Sequence, residues 1–534
     1  MRVLTPITIG LRYRGIGVLC LSLSLLLCSC GGGGSSKADP PSTPLSNLSV
    51  TTWHYDNART GVNPNEVSLT SSNVNPNSFG ELFTLPVDGA VIGAPLYLGS
   101  VTVPGKGAHN VVYAATMHDS VYAFDADSVS GADSTPLWQV SLLPAGATPE
   151  PMSLQKCQTT TAWQEVGIVS TPVIDPATGT LYVAAKTLEN GTPIFRLHAL
   201  DVATGQEKLG GPVQLTASVS FNGLTNTFSA LAETNRPALL LTNNHIYLAF
   251  GSNGCNAYGD QGWVLSYNAT TLAQEGAFTT EPNTNLGSIW QKGGGLSADS
   301  SSNVYAEVAE GIVIPGTNFG SSVIKLSQSG TSLLPADWFT AYNQSYLLQN
   351  DLDLNNSVLI LPDQPGPYPH LAIAVGKEGT LYLLNRDNMG QYCSTCLVQD
   401  TQIPQELLFA TGTDTGALIY WNSTIYSTGG GDPIREWSLQ NGQLLPTPIA
   451  QTAPAGGGHS PVLTSNGNEN GILWQLNGTF LNAYDASSLS TLYSSSQTNG
   501  RDALPSLPHF AQLTAINGKV YVSTNDSVVV FGLL

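Results

Sequence analysis

One unit recurs along the chain and limits what it can fold into: a short apolar strand that ends on an Asp- or Asn-like residue and runs into a polar turn. The clearest copies are VYAFD ending at Asp125, LHALD at Asp201, LSYN at Asn268, LYLLN at Asn385 and LNAYD at Asp485. Weaker copies, VIKLS, REWS and VVVFG, end at Ser327, Ser438 and Gly532. Upstream of the copies stand further apolar strands such as VVYAAT, TLYVAAK, HIYLAFG, LAIAVG and KVYVST, often preceded by a strand carrying Pro or a small residue (GAPLYL, STPVID, RPALLL, HSPVLT). Period-two alternation, Val/Tyr/Ile richness and turn pairs such as Thr178-Gly179 and Asn517-Gly518 predict β-meanders of four strands, here called A to D. No stretch sustains a helical period.

Radially arranged four-stranded antiparallel meanders make a β-propeller, so the expected fold is all-β with eight blades. Seven is the alternative, because the sixth repeat is irregular. The last repeat stops at Leu534 without an outer strand, whereas FGELFTLPVDG (79–89) is a strand to spare. Pairing that N-terminal strand onto the last blade closes the ring and removes its exposed edges.

Composition fits this reading. The 55 Gly and 33 Pro of the 534 residues are spread along the chain, as many turns require, and 41% hydrophobic content supplies a core. The net charge of -19 without clustered Lys or Arg argues against nucleic acid as a partner.

Residues 1–29 read as an export signal: a basic start with Arg2, Arg12 and Arg14, then an apolar stretch too short to span a bilayer. Leu27-Cys28-Ser29-Cys30, followed by GGGGSS, resembles a bacterial lipobox, with Cys28 a departure from its pattern. That resemblance implies a lipoprotein cleaved before Cys30 and lipidated on it. Residues 30–48, rich in Gly, Ser and Pro, would be a flexible tether and 49–534 the propeller. The expected location is the cell envelope, held by the lipid anchor alone. In a two-membrane bacterium Gly31 after the modified Cys resembles an outer-membrane address, so the outer membrane or the periplasmic face is the expected place.

The repeat, best seen in TLYVAAK…RLHALDVATGQEK (180–208), resembles the pyrroloquinoline-quinone (PQQ) type of the quinoprotein alcohol dehydrogenase-like propellers. The chain also looks like uncharacterised secreted bacterial PQQ-repeat proteins that carry WxxDxxRTGxN, here Trp53 to Asn63. The resemblance implies two possible activities. Quinoprotein dehydrogenases hold PQQ over the axis between a Trp and a vicinal disulfide, with Ca²⁺ on carboxylate and amide oxygens. Other propellers of this repeat are non-catalytic platforms. This sequence has no adjacent Cys pair and no CxxCH. The first reading is therefore a binding or scaffold module for a protein or saccharide, the alternative a PQQ/Ca²⁺-dependent dehydrogenase of alcohols or sugars.

In an antiparallel meander the B–C turns and D–A loops share one face, and these are the longest loops. On them fall the ligand-binding candidates Glu165, Arg236, Trp290, His459 and Arg501, together with His118, Asp260 and Lys377. Asp351 and Asp353 are candidate oxygen ligands for a metal, against an ordinary Asx-turn as the alternative. Export permits disulfides, so Cys157–Cys255 and Cys393–Cys396 are the expected pairs. No catalytic set of Ser, His and Asp is visible.

Overall fold

The Asp or Asn that closes each repeat has a local task. Asp201 Oδ1 accepts from Ala203 N, Asn268 Oδ1 from Thr270 N and Thr271 N, and Asp485 Oδ1 from Ser487 N and Ser488 N. These Asx-turns satisfy backbone donors where the third strand of a blade must reverse. A tyrosine from the second strand then reaches the residue just beyond. Tyr113 Oη donates to Val202 O, Tyr182 to Ala269 O, Tyr426 to Ala486 O and Tyr521 to Ala126 O. In each case the acceptor belongs to the next blade, so the two hallmark residues of the repeat stitch neighbours together. Each such buried bond contributes about 1 kcal/mol net.

The computed structural model describes residues 47–534 except 129–133, 157–162, 254–256, 414 and 455–458. It is an eight-bladed β-propeller of antiparallel blades. Blade 1 runs from Leu96–Val103 through Gly107–Ala115 and Ser120–Asp125 to Trp138–Ser141, and blade 2 places Val173–Asp175 innermost. The inner strands of blades 3 to 7 are Leu240–Thr242, Ser297–Ala298, Leu359–Ile360, Ile419–Trp421 and Val462–Asn466. Blade 8 consists of Leu513–Ile516, Lys519–Ser523, Ser527–Leu533 and, outermost, Phe79–Pro86. The closing strand pairs antiparallel from Phe79 with Leu533 to Pro86 with Ser527, the closure expected from the sequence. Phe79 is fully buried against Trp474, Tyr493 and Phe531, which seals blades 7 and 8. The one α-helix among the described residues, Gln344–Gln349, lies in the loop leading to blade 5.

The WxxDxxRTGxN stretch forms the hub. Val50 pairs with Tyr97 of blade 1, and Thr51 O accepts from Ile174 N of blade 2. Asn57 reaches blades 3 and 4, donating through Nδ2 to Leu241 O and accepting from Ala298 N. Ala58 O, Thr60 O and Gly61 O accept from Ile360 N, Tyr420 N and Leu463 N of blades 5, 6 and 7. Tyr55 Oη exchanges bonds with Ala515 of blade 8. One short segment thus bonds to every inner strand, toward the A–B turns. Gly61, at φ +74, has to be glycine: a Cβ there would sit 3.0 Å from Ile419.

Candidate functional site

The axis between the hub and the opposite, loop-rich face is filled in layers. Trp53, stacked on His54 at 3.7 Å, stands among Ala94, Ala238 and Ala417, each just ahead of an inner strand, and donates to Gln512 Oε1. Burial, then the charge of Arg59, pushes His54 down to about 3, so its ring is neutral. Arg59 is buried and donates to Leu296 O, Trp53 O, Asp56 O and Thr52 Oγ1. Above this layer Gln291, Lys292 and Gly293 make a left-handed turn with φ of 47°, 48° and 77°. Lys292 Nζ donates across to Thr415 O at 3.0 Å.

On the loop-rich face three D–A loops converge. The Arg236 guanidinium lies between two rings, 4.6 Å from the centroid of Trp290 and 4.3 Å from that of Phe510, and His509 stacks on Phe510. Gly251 makes room for this packing, since a Cβ there would come within 3.1 Å of the Trp290 ring. Burial lowers Arg236 to about 10, opposed by Glu310, so it stays charged at neutral pH. Arg236 also lines a cavity of about 10 Å³ with Met117, Gln155, Trp163, Val166, Val169, Thr234 and Phe510. Met117 and Trp163 continue into a second cavity of about 160 Å³, bordered by Glu165 and Asn525.

Beside the sandwich lies a set of desolvated acids. Trp290 Nε1 faces both oxygens of Glu310 at 3.3 Å. Burial, with Asp353 adding to it, pushes Glu310 up to about 7. Glu307, fully buried, is raised by burial to about 8 although it accepts from Asn356 N and Val375 N. Asp353, also fully buried, pairs with Lys377 at 2.8 Å, and the same ammonium holds the exposed Asp351 at 2.6 Å.

The structure therefore joins four residues singled out from the sequence, Arg236, Trp290, Asp353 and Lys377, through Glu310 and Phe510, which sequence reasoning missed. Glu165 pairs with His118 at 2.8 Å at the edge of the second cavity. The carbonyl of His459 packs against Gly416 on blade 6. Arg501 is not part of the cluster: it binds Asp502 and donates to Phe79 O and Pro76 O, clamping the closing strand. No group of three or more His, Cys, Asp or Glu among the described residues is arranged to hold a metal. Cys393 and Cys396 form a disulfide. Cys30, Cys157 and Cys255 lie outside the described residues.

Among solved structures, the quinohemoprotein alcohol dehydrogenase ADHIIG of Pseudomonas putida HK5 matches with TM-score 0.59 and 12% identity, over 91% of this chain and 80% of that one. The quinohemoprotein alcohol dehydrogenase of Comamonas testosteroni matches with TM-score 0.57 and 13% identity over the same shares. A europium-containing methanol dehydrogenase gives TM-score 0.57 and 12% identity, over 91% of this chain and 98% of that one. The fold is that of the quinoprotein alcohol dehydrogenases. At such identities the likeness concerns the fold alone, since one propeller scaffold hosts unrelated activities. No family model and no curated protein matches the sequence.

The residues at the axis do not fit PQQ with Ca²⁺. The tryptophan on which a flat quinone would stack already carries Arg236, backed by Phe510, and the space around that guanidinium is about 10 Å³. The two candidate calcium carboxylates share the ammonium of Lys377.

Proposed function

We propose that this chain is a non-catalytic binding module: an exported propeller, tethered to the cell envelope by a lipid on Cys30, that takes a ligand on its loop-rich face. The observation behind this reading is the filled axis. From Trp53 to the Arg236 sandwich, the chain's own side chains occupy the place where an axial cofactor would stack. Charged groups without full pairing gather instead at the loop-rich end, as binding faces on rigid scaffolds do.

The alternative, a PQQ/Ca²⁺ dehydrogenase of alcohols or sugars, draws support from the shared fold and from Trp290 with its neighbouring acids. Reconstitution with PQQ and Ca²⁺ separates the two. On the binding reading, the purified chain shows neither a bound-quinone absorbance nor a rise in melting temperature, because only a ligand that binds the folded state stabilises it. Dye reduction with an alcohol or sugar after reconstitution would establish the dehydrogenase instead. For the tether, Cys30→Ser should abolish incorporation of labelled fatty acid; incorporation that persists would move the lipid to another residue.

A further inference from the structure

The circumference of the ring holds a feature that neither the hub nor the axis explains. Strand Gln405–Leu407 is the outermost of blade 5 and pairs on one side only, with Leu381, Tyr382 and Leu383. Residues of an antiparallel strand turn their N–H and C=O groups alternately to either side, so part of this backbone faces away from its sheet. Among the described residues no strand pairs with it there. The outer strand of blade 6 is broken into Gln443–Leu444 and Ala450–Gln451 by a stretch carrying Pro446 and Pro448, which have no N–H to offer. Gln405 braces the two blades, its side chain accepting from Leu444 N and donating to Leu444 O, both at 2.8 Å. A groove of about 500 Å³ opens here, lined by Leu407, Phe409, Trp437, Pro446 and Pro448 among others. That volume lies in the range of specific ligand sites, about 300–1,000 Å³.

Two properties of the groove select its occupant. The first is an uncovered apolar rim. Phe409, in the lining, is 69% exposed and held at φ +52, where a bulky residue seldom sits. Leu408 and Ile449 are exposed beside it. The Cys393–Cys396 disulfide closes the turn leading to Leu397 and Val398, 87% and 71% exposed, which directly precede Gln399 of the lining. A patch of this kind marks contact with another macromolecule.

The second property is negative charge. Glu406, half-buried in the lining, accepts from Asp400 N through Oε2, and its Oε1 has no hydrogen-bond partner among the described residues. Burial, with the charges of Asp400 and Glu378 behind it, pushes this carboxyl up to about 7. The one cation among the lining residues, Arg435, is spent on Asp432, to which it donates through both Nη atoms. An acid without a counter-ion beside apolar walls calls for a cation on an apolar stem, as Lys and Arg carry it. The same charge repels nucleic acid and anionic lipid. A saccharide would leave hydroxyls unpaired against Phe409 and the prolines. An extended polypeptide meets all three demands: backbone for the free edge, apolar side chains for the rim, and a basic group for Glu406.

We propose that the groove between blades 5 and 6 docks an extended segment of a partner polypeptide bearing a lysine or arginine between apolar residues. Its cation pairs with Glu406, and its backbone extends the sheet at Gln405–Leu407. The site lies among outermost strands rather than at the axis, and it does not depend on what the loop-rich face binds.

The test is selection of phage-displayed random heptapeptides on the purified full chain, followed by fluorescence-anisotropy titration of the enriched peptides made with capped ends. Enriched sequences should carry Lys or Arg between apolar residues. Binding should be at least tenfold weaker to Glu406→Gln, to Phe409→Ser, and for the same peptide with norleucine in place of its basic residue. Phe409 is exposed, so Phe409→Ser should melt with the unaltered chain, and it carries the test alone if Glu406→Gln does not fold. No enriched peptide, enriched peptides without a basic residue, or undiminished binding to either folded variant overturns the proposal. Self-association in sedimentation that Phe409→Ser abolishes, with no peptide enriched, would put a second copy over the patch and overturn it as well. Reconstitution with PQQ and Ca²⁺ is read separately, and either result there leaves this site standing.

Discussion

Two arginines stand at opposite ends of the same axis. Arg59, at the hub, is 1% exposed and donates to three carbonyls and a hydroxyl, and its segment bonds to all eight inner strands. Arg236, at the loop-rich end, has rings on both faces, a cavity at its edge and no hydrogen-bonded acceptor among the described residues. Both regions contain left-handed non-glycine residues, His54, Tyr55 and Arg59 in one, Gln291 and Lys292 in the other. Such backbone costs about 1–3 kcal/mol per residue and persists only where the surroundings impose it. At the hub the compensation is visible as hydrogen bonds to every blade. At the other end Lys292 donates to Thr415 O, while the Gln291 side chain has no hydrogen-bond partner among the described residues. Saturation is not what separates them, since Arg59 Nη2 is also buried without a hydrogen-bond partner among the described residues; what marks the hub as a structural centre is that its bonds reach every blade.

The largest effect should come from the hub. Arg59→Ala leaves several buried acceptors unpaired and should cost about 5 kcal/mol, or prevent folding, in denaturant titrations. A loss below about 1 kcal/mol would remove the hub from the structural side of the comparison.

The next effect should follow pH. Glu307 and Glu310 titrate near 8 and near 7 in the folded chain, above their ordinary range, because burial disfavours their charge. The native state therefore keeps protons that the unfolded chain releases, and stability falls as pH rises from about 5 to 8, by up to about 6 kcal/mol. Glu281 and Glu406, also raised to about 7, act in the same direction. Melting temperatures at pH 5.5 and 8.5 check this, and Glu310→Gln should flatten the part near pH 7. A profile that is flat, or rises over this range, would mean these acids are solvated.

The smallest effect should come from Arg236→Gln. It removes two cation–π contacts and no hydrogen bond, so about 1 kcal/mol or less in thermal unfolding is expected. A cost approaching that of Arg59→Ala would make the two ends alike and erase the contrast.

Much of the fold could be read from residues that act locally. Asp201, Asn268 and Asp485 end their strands because each side chain caps the turn that follows, a task completed within three residues. Tyr113 and Tyr182 were legible as part of a repeat, although their acceptors on the next blade were not. The spare strand at 79–89 was found by counting strands against blades. The hub stayed hidden because its partners are mostly backbone groups of all eight blades, which carry no side-chain signature. The site was half visible: alternation of strands put Arg236, Trp290, Asp353 and Lys377 on one face. Phe510, Met117 and Trp163 are apolar residues in loops, and only the closed ring brings them beside an arginine.

How the chain joins its own ring carries a further consequence. Leu48 O accepts from Gly99 N, and Ser49 and Val50 run beside Leu98 and Tyr97 of blade 1, descending from the side of the A–B turns. The inner edge of blade 1 is therefore covered by the same segment that goes on to bond the other seven blades, so that edge offers no free backbone row for pairing.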